Sequence, residues 1–278
     1  MTLPLRNSRI KLSVGQLFWR EIGQEGPTVV FLHGSWTDSS QWVPVKRALS
    51  EDYHCFAVDL LGFGESENPN VHYSIALQVD FLEEFCETLN LQEIYLVGHS
   101  LGGWVAASYA VKYMERVRGL VLLTPEGVEV PGLENRWRRV ALWMKGLPVL
   151  QFLRSPLLRL AKLLRLQPVV EDFLQQLETL QHSTVACQLL FQRRRPEINS
   201  ELLQERLSSI KLPVSILCGD ADTPGAMALS QAYADLLPNA QLHKIPDAGE
   251  NLPLAFPDAV AQQIRALVDG ERDEGIRA

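Results

Sequence analysis

The chain is punctuated by short apolar runs, and helical patterns stand between them. Thr28 to Leu32 (TVVFL), His54 to Leu60 (HCFAVDL), Ile94 to Val97 (IYLV) and Gly119 to Leu123 (GLVLL) come first; Val214 to Cys218 (VSILC) and Gln241 to Ile245 (QLHKI) follow a long interruption. Runs this short and this apolar read as strands buried on both faces. From Ser74, placed as an N-cap, Ile75, Val79, Leu82, Phe85, Cys86 and Leu89 recur at three-to-four spacing and predict a helix. Further helices are expected over Leu101 to Met114, Ala226 to Leu237, and Pro257 to Val268, the last with proline in its first turn. Strands alternating with helices require a mainly parallel sheet covered on both sides. Ile10 to Leu12 and Leu17 to Trp19 flank Ser13-Val14-Gly15-Gln16 and predict a hairpin ahead of this sheet. The charged tail from Asp269 to Ala278 is expected to fray.

Length and charge narrow the classes. The 278 residues fit one large α/β domain with an insertion, and 46% hydrophobic content supports a substantial core. A net charge of −7 argues against a dedicated nucleic-acid binder. Cys55, Cys86, Cys187 and Cys218 form no CxxC pair and are expected to be buried thiols, with no zinc site and no disulfide framework. Pro4 and Arg6 stand where a signal peptide needs its apolar core, and no run of about 18 apolar residues occurs, so a cytoplasmic location is the expectation. The interruption spans 126–210, between a first core part at 1–125 and a second at 211–278. Its segment from Pro131 to Val170 holds eight Lys or Arg residues and one acid, Glu134. We read it as an inserted helical lid, because both of its ends return to the same sheet.

Gly98-His99-Ser100-Leu101-Gly102 matches G-x-S-x-G directly after a predicted strand and before a predicted helix. Small residues around the serine permit a sharp strand-to-helix turn that raises its hydroxyl above the sheet. The helix N-terminus beneath it favours developing negative charge. A turn serine with no chemical role is the alternative.

With its continuation Gly103, this motif resembles the nucleophile elbow of the α/β-hydrolase family. Two further motifs carry the same resemblance: His33-Gly34-Ser35 after the third strand, and Asp59-Leu60-Leu61-Gly62-Phe63-Gly64-Glu65-Ser66. The implied fold is an α/β-hydrolase fold, a mainly parallel eight-stranded sheet flanked by helices with a helical lid inserted after strand 6. The implied activity is that of a serine hydrolase or acyltransferase, with Ser100 as nucleophile and the backbone amides of Ser35 and Leu101 as an oxyanion hole. Gly219-Asp220-Ala221-Asp222 resembles the family's G-x-x-D and puts the triad acid at Asp222, with Glu126 as a weaker candidate. His33, Gly34, Trp36, His99 and Trp104 are expected near the substrate pocket, and Trp42 as a further wall. The resemblance implies no metal and no organic cofactor.

The expected base is absent from its place. Where the family usually carries Ala-Gly-His, this chain reads Ala248-Gly249-Glu250, so Glu250 stands at the histidine position. His33 and His99 sit in turn motifs, His54 and His72 lie elsewhere, His243 is inside a strand, and His182 falls in the insertion. Removing the histidine from a working triad costs on the order of 10⁶ in turnover, while the oxyanion hole and binding retain about 10³ over water. A carboxylate near pKa ~4.3 has little driving force to take the serine proton, although a neighbouring Asp222 would push one of the two pKa values upward. Three readings stay open: a serine hydrolase on a small or lipid-like carboxylic ester with altered base chemistry, a non-catalytic member that binds an apolar ligand or a protein partner, or a hydrolase whose histidine was deliberately replaced at 250.

In the insertion, Ser155-Pro156 predicts a helix through Leu166, with Arg159, Lys162 and Arg165 on one face and Leu157, Leu160, Ala161 and Leu164 on the other. An ordinary lid helix explains this pattern; an interfacial face meeting anionic lipid headgroups is the sharper alternative. Arg193-Arg194-Arg195 reads as a solvated run. Oligomeric state is open.

Overall fold

The computed structural model describes residues 3–133 and 183–277, together with 136–138, 140–142, 162, 167, 168, 170, 171, 174, 179 and 180 between them. The predicted helix over 155–166 and His182 lie outside the described residues. Two compact units partition the chain, one formed by residues 1–130 and 201–278, the other by 131–200.

The first unit is built on eight strands: β1 (Arg6–Lys11), β2 (Gln16–Ile22), β3 (Thr28–Leu32), β4 (His54–Val58), β5 (Ile94–His99), β6 (Val117–Leu123), β7 (Val214–Gly219) and β8 (Ala240–Ile245). They lie in the order β1-β2-β4-β3-β5-β6-β7-β8. The β1–β2 and β2–β4 pairs are antiparallel and every later pair is parallel. The expected hairpin and mainly parallel sheet are both present. β5 is buried along its whole length, and β3 at every position but Thr28, which is why both read as unbroken apolar runs.

Helices cover the faces: α1 (Val43–Leu49), α2 (Ile75–Thr88), α3 (Leu101–Lys112), α4 (Pro224–Leu236) and α5 (Pro257–Arg277). Ser74 caps α2 as expected, its side chain accepting from Leu77 N–H. α4 starts two residues before the expected Ala226, because the Thr223 side chain caps it through Ala226 N–H and Pro224 supplies its first turn. β4 stops at Val58, short of the expected Leu60. Asp59 instead turns the chain, its carboxylate accepting from the N–H groups of Ser39 and Glu65. The expected frayed tail is also corrected: α5 runs to Arg277. Glu271, Arg272, Glu274 and Arg277 in that stretch are good helix formers, alongside the poorer Asp269, Gly270, Asp273 and Gly275.

The four cysteines are free and buried as expected. Burial pushes the Cys55 and Cys86 thiols up to about 12, which leaves them protonated and unreactive. In the second unit, Trp137 stacks on Phe191 with ring centroids 5.5 Å apart, and the Arg136 guanidinium lies 5.3 Å from the Trp137 ring centroid. Among the described residues no helix is long and apolar enough to cross a membrane, and no cluster of His, Cys, Asp or Glu could hold a metal.

Lys46 is an unexpected occupant of the interior. It is fully buried on α1, and its ammonium donates to the Arg20 carbonyl at 2.6 Å. Burial is the main force that lowers its pKa from 10.5 to about 7. The unfolded chain therefore holds a proton between pH 7 and 10.5 that the native state has lost, so this residue makes stability rise with pH across that window. Replacing Lys46 with Met should flatten the rise between pH 7 and 9 by about 2 kcal/mol, as read from urea unfolding at the two pH values.

Candidate active site

Parallel strands bring their C-terminal ends to one edge of the sheet, where α/β folds place their ligands. There β3 delivers His33-Gly34-Ser35, β5 delivers Ser100, β6 leads to Glu126, β7 leads to Asp222, and β8 leads to the loop ending at Glu250.

Ser100 joins β5 to α3 at φ +51° and ψ −113°, in the left-handed half of backbone space that a non-glycine residue rarely adopts. The turn depends on missing side chains. A Cβ on Gly98 would strike the Gly102 carbonyl, and one on Gly102 would strike the carbonyls of Leu32 and His33. Three main-chain hydrogen bonds hold the strained residue: Ser100 N–H to Leu123 O at 2.9 Å, and Trp104 N–H and Glu126 N–H to Ser100 O at 3.2 and 3.1 Å. Serine at a helix N-cap ordinarily accepts from the first turn, yet the Ser100 hydroxyl makes no capping bond. It lies 3.3 Å from the Ser35 hydroxyl instead. Leu101 opens α3, so its N–H has no acceptor inside the helix.

Neither nearby imidazole is free to serve as a base. His33 is fully buried; its Nδ1–H donates to the Gly34 carbonyl at 2.8 Å and its Nε2 accepts from Leu60 N–H at 3.1 Å, so both nitrogens are committed and the tautomer is fixed. Burial lowers its pKa. His99 is also buried, chiefly for that reason titrates at about 4, and its ring hydrogen-bonds the Glu250 carbonyl. Gln41 links this region together: its Oε1 accepts from Thr37 Oγ1 at 2.5 Å and from Gly34 N–H at 3.4 Å, with His99 Nδ1 also at 3.4 Å.

The two acidic residues sit in loops that pack on one another. Ala221 N–H donates to Ala248 O at 3.0 Å, and Asp247 N–H donates to Asp220 Oδ1 at 2.8 Å. Asp220 is thus a turn residue. The loop carrying Glu250 is tied to the Asp222 turn on one side and, through the Glu250 carbonyl, to the residue preceding Ser100 on the other. Asp222 is buried, with only 6% of its surface exposed. Its Oδ1 accepts from Thr223 N–H at 2.6 Å, whereas Oδ2 is buried and has no hydrogen-bond partner. Burial raises its pKa, with the Thr223 bond opposing. The expected mutual push of two carboxylates is therefore not the cause, and the Glu250 side chain is exposed. Glu126 is buried too, its N–H on Ser100 O and its carbonyl accepting from Tyr233 Oη at 2.5 Å.

The tryptophans divide. Trp36 is half-buried beside Ser35 in sequence. Trp104 is buried and donates its indole N–H to the Glu201 carbonyl at 3.2 Å, while a Cβ on Gly127 would strike its ring, so it holds residues 127 and 201 close together. Trp42 is corrected from pocket wall to core: it is fully buried and packs on Phe31 with centroids 5.2 Å apart. The unsatisfied Asp222 oxygen and the link from Gln41 to His99, 58 residues away, carried no sequence signal, since hydrogen-bond satisfaction depends on the neighbours that folding supplies.

Ser100 stands in a strained turn between a central parallel strand and the helix that follows it, at the sheet edge where α/β folds place their ligands. The chain belongs to the alpha/beta hydrolase fold family, whose model matches residues 27–257. It is 35% identical to the mouse 1-acylglycerol-3-phosphate O-acyltransferase over 149 residues, half of this chain and 42% of the mouse protein. The chain spans only about two fifths of the curated relatives it matches first. A thermophilic esterase from Thermogutta terrifontis superposes with a TM-score of 0.72 at 25% identity, covering 96% of this chain and 99% of the esterase. A bacterial membrane phospholipase A has the same fold, with a TM-score of 0.74 at 23% identity over 96% of this chain and 87% of its own.

Asp222 gives this site a measurable cost. A carboxyl whose pKa is raised on folding contributes stability at low pH that is lost as pH rises from the unfolded value of 3.8 through the native one. Asp222→Asn, which keeps an oxygen for Thr223 N–H and removes the charge, should stabilise the protein at pH 7 in urea unfolding, with no gain at pH 3.

Proposed function

We propose that the protein is a serine hydrolase or acyltransferase acting on a carboxylic ester with an apolar part, with Ser100 as nucleophile. The observation that carries this reading is the strained Ser100 backbone with a hydroxyl withheld from helix capping, since strain of this kind persists where surrounding structure enforces it for use. The Ser35 and Leu101 amides would receive the oxyanion, the α3 N-terminus would favour its charge, and Asp222 would be the buried acid. Glu250 occupies the base position. The relatives' names, an acyltransferase on an acylglycerol phosphate, an esterase and a phospholipase, support an ester substrate. From its sequence, the 126–210 insertion would be the lid, and its basic, leucine-rich segment would meet anionic lipid from the cytoplasmic side.

The identity of residue 250 favours a second reading, a binding protein that keeps the elbow without turnover. A fluorophosphonate probe decides between them. Labelling of Ser100, absent in Ser100→Ala, is expected under the hydrolase reading; no labelling between pH 6 and 9 would overturn it. Glu250→His should raise ester turnover by about 10²–10⁴, the usual worth of a positioned general base, measured on short and medium acyl esters in a pH-stat. That gain is also what a deliberate replacement at 250 would show.

A further inference from the structure

We propose that Gln41 is a positioning residue that holds the Gly34–Ser35 peptide in the orientation that aims the Ser35 N–H at the reacting centre. This role deepens the serine reading and rests on Ser100 being the nucleophile. A peptide unit is planar, so the Gly34 carbonyl and the Ser35 N–H are opposite ends of one rigid plate, and whatever fixes the first aims the second. The carbonyl end accepts from His33 Nδ1–H at 2.8 Å and from Thr37 N–H at 3.4 Å. On the other side of the Gly34 α-carbon, the Gly34 N–H donates to Gln41 Oε1 at 3.4 Å. The same oxygen accepts the Thr37 hydroxyl at 2.5 Å, so one atom of Gln41 ties both ends of the turn. Ser35 is 3% exposed, and its N–H has no acceptor among the described residues. A buried, unpaired N–H is rare, and it suits a donor kept for an oxyanion that forms only during reaction. The Ser35 and Ser100 hydroxyls, 3.3 Å apart, place this peptide beside the nucleophile.

Gln41 is held for its oxygen and not for its packing. It is 2% exposed, and its Nε2 is buried with no hydrogen-bond partner. A carboxamide with an idle NH₂ is a costly core residue, one that an apolar side chain of similar size would replace without that loss. Gly34 needs the restraint because glycine has the freest backbone, and no side chain can supply stiffness there: a Cβ would lie 2.7 Å from His99 Nδ1. His99 Nδ1 also lies 3.4 Å from Gln41 Oε1, and the His99 ring bonds the Glu250 carbonyl. The oxyanion turn, the residue before Ser100 and the Glu250 loop therefore meet at one buried oxygen. Losing an oxyanion donor outright costs about 10²–10³ in turnover, and losing the group that aims it costs part of that.

The test is the rate at which an alkyl fluorophosphonate labels Ser100, resolved into apparent affinity and maximal rate, in the whole chain and in Glu250→His. In this reaction Ser100 Oγ bonds to phosphorus, its proton passes to buffer and fluoride leaves, while negative charge gathers on the phosphoryl oxygen that faces the Ser35 and Leu101 amides. The aim of the Ser35 N–H is thus read in the maximal rate. Gln41→Met, which removes the acceptor and the idle NH₂ together, should lower that rate by about 10- to 100-fold, with affinity held within about twofold. Gln41→Glu, which keeps the acceptor oxygen, should recover most of the lost rate. Thr37→Val removes only the hydroxyl from a half-buried residue, so folding is not at stake; it should slow labelling by about three- to tenfold, and Thr37→Ser should restore it. Parental maximal rates in both Gln41→Met and Thr37→Val overturn the proposal and leave the serine reading standing. Equal losses in Gln41→Met and Gln41→Glu with none in Thr37→Val reduce Gln41 to packing and overturn it too. Should Gln41→Met fail to fold, the two Thr37 variants decide by the same criterion. If neither the parent chain nor Glu250→His is labelled, the serine reading falls and the proposal with it.

Discussion

The close approach of backbones around Ser100 is the constraint on which the rest depends. Gly98 and Gly102 leave room for main-chain carbonyls of β3 and α3 to crowd into the turn, and only then can Ser100 hold φ +51°. A residue in that conformation costs on the order of 1–3 kcal/mol, offset here by the fully buried β5 and by bonds to Leu123, Trp104 and Glu126. The same bonds connect the elbow to the carbonyl end of β6, so the serine is positioned by the sheet itself. Placement on such rigid elements is more exact than placement on loops.

Electrostatics at this edge run opposite to the demands of stability. Asp222 is buried with one oxygen unsatisfied, and the loop that packs on it delivers a second carboxylate to the surface. His33 and His99, which the same edge also holds, are kept neutral by burial and are occupied in fixing main-chain geometry. Polar groups left unsatisfied in an interior are commonest where function needs them.

The sheet was readable in advance because its strands are buried on both faces, so apolar runs such as 28–32 and 94–97 needed no partner to be recognised. Ser74 announced α2 for a similarly local reason, as a side chain that bonds its own helix. The misses share the opposite property. Asp59 ends β4 through bonds to Ser39 and Glu65, and Trp42 joined the core through Phe31. Nothing local in the sequence marked Lys46 as buried, and its ammonium reaches the Arg20 carbonyl inside the protein. In each case the deciding partner is at least six residues away along the chain.

Sequence by itself determined the alternation of strand and helix, the glycine-framed serine and the presence of glutamate at 250, because each is local: burial on both faces, the room a turn needs and the identity of one side chain. Only the tertiary structure decided that Asp222 keeps one carboxylate oxygen buried and unpaired, that His33 has no nitrogen to spare, and that Gln41 ties Gly34, Thr37 and His99 together. Hydrogen-bond satisfaction is a property of the neighbours that folding supplies, and no single segment carries it.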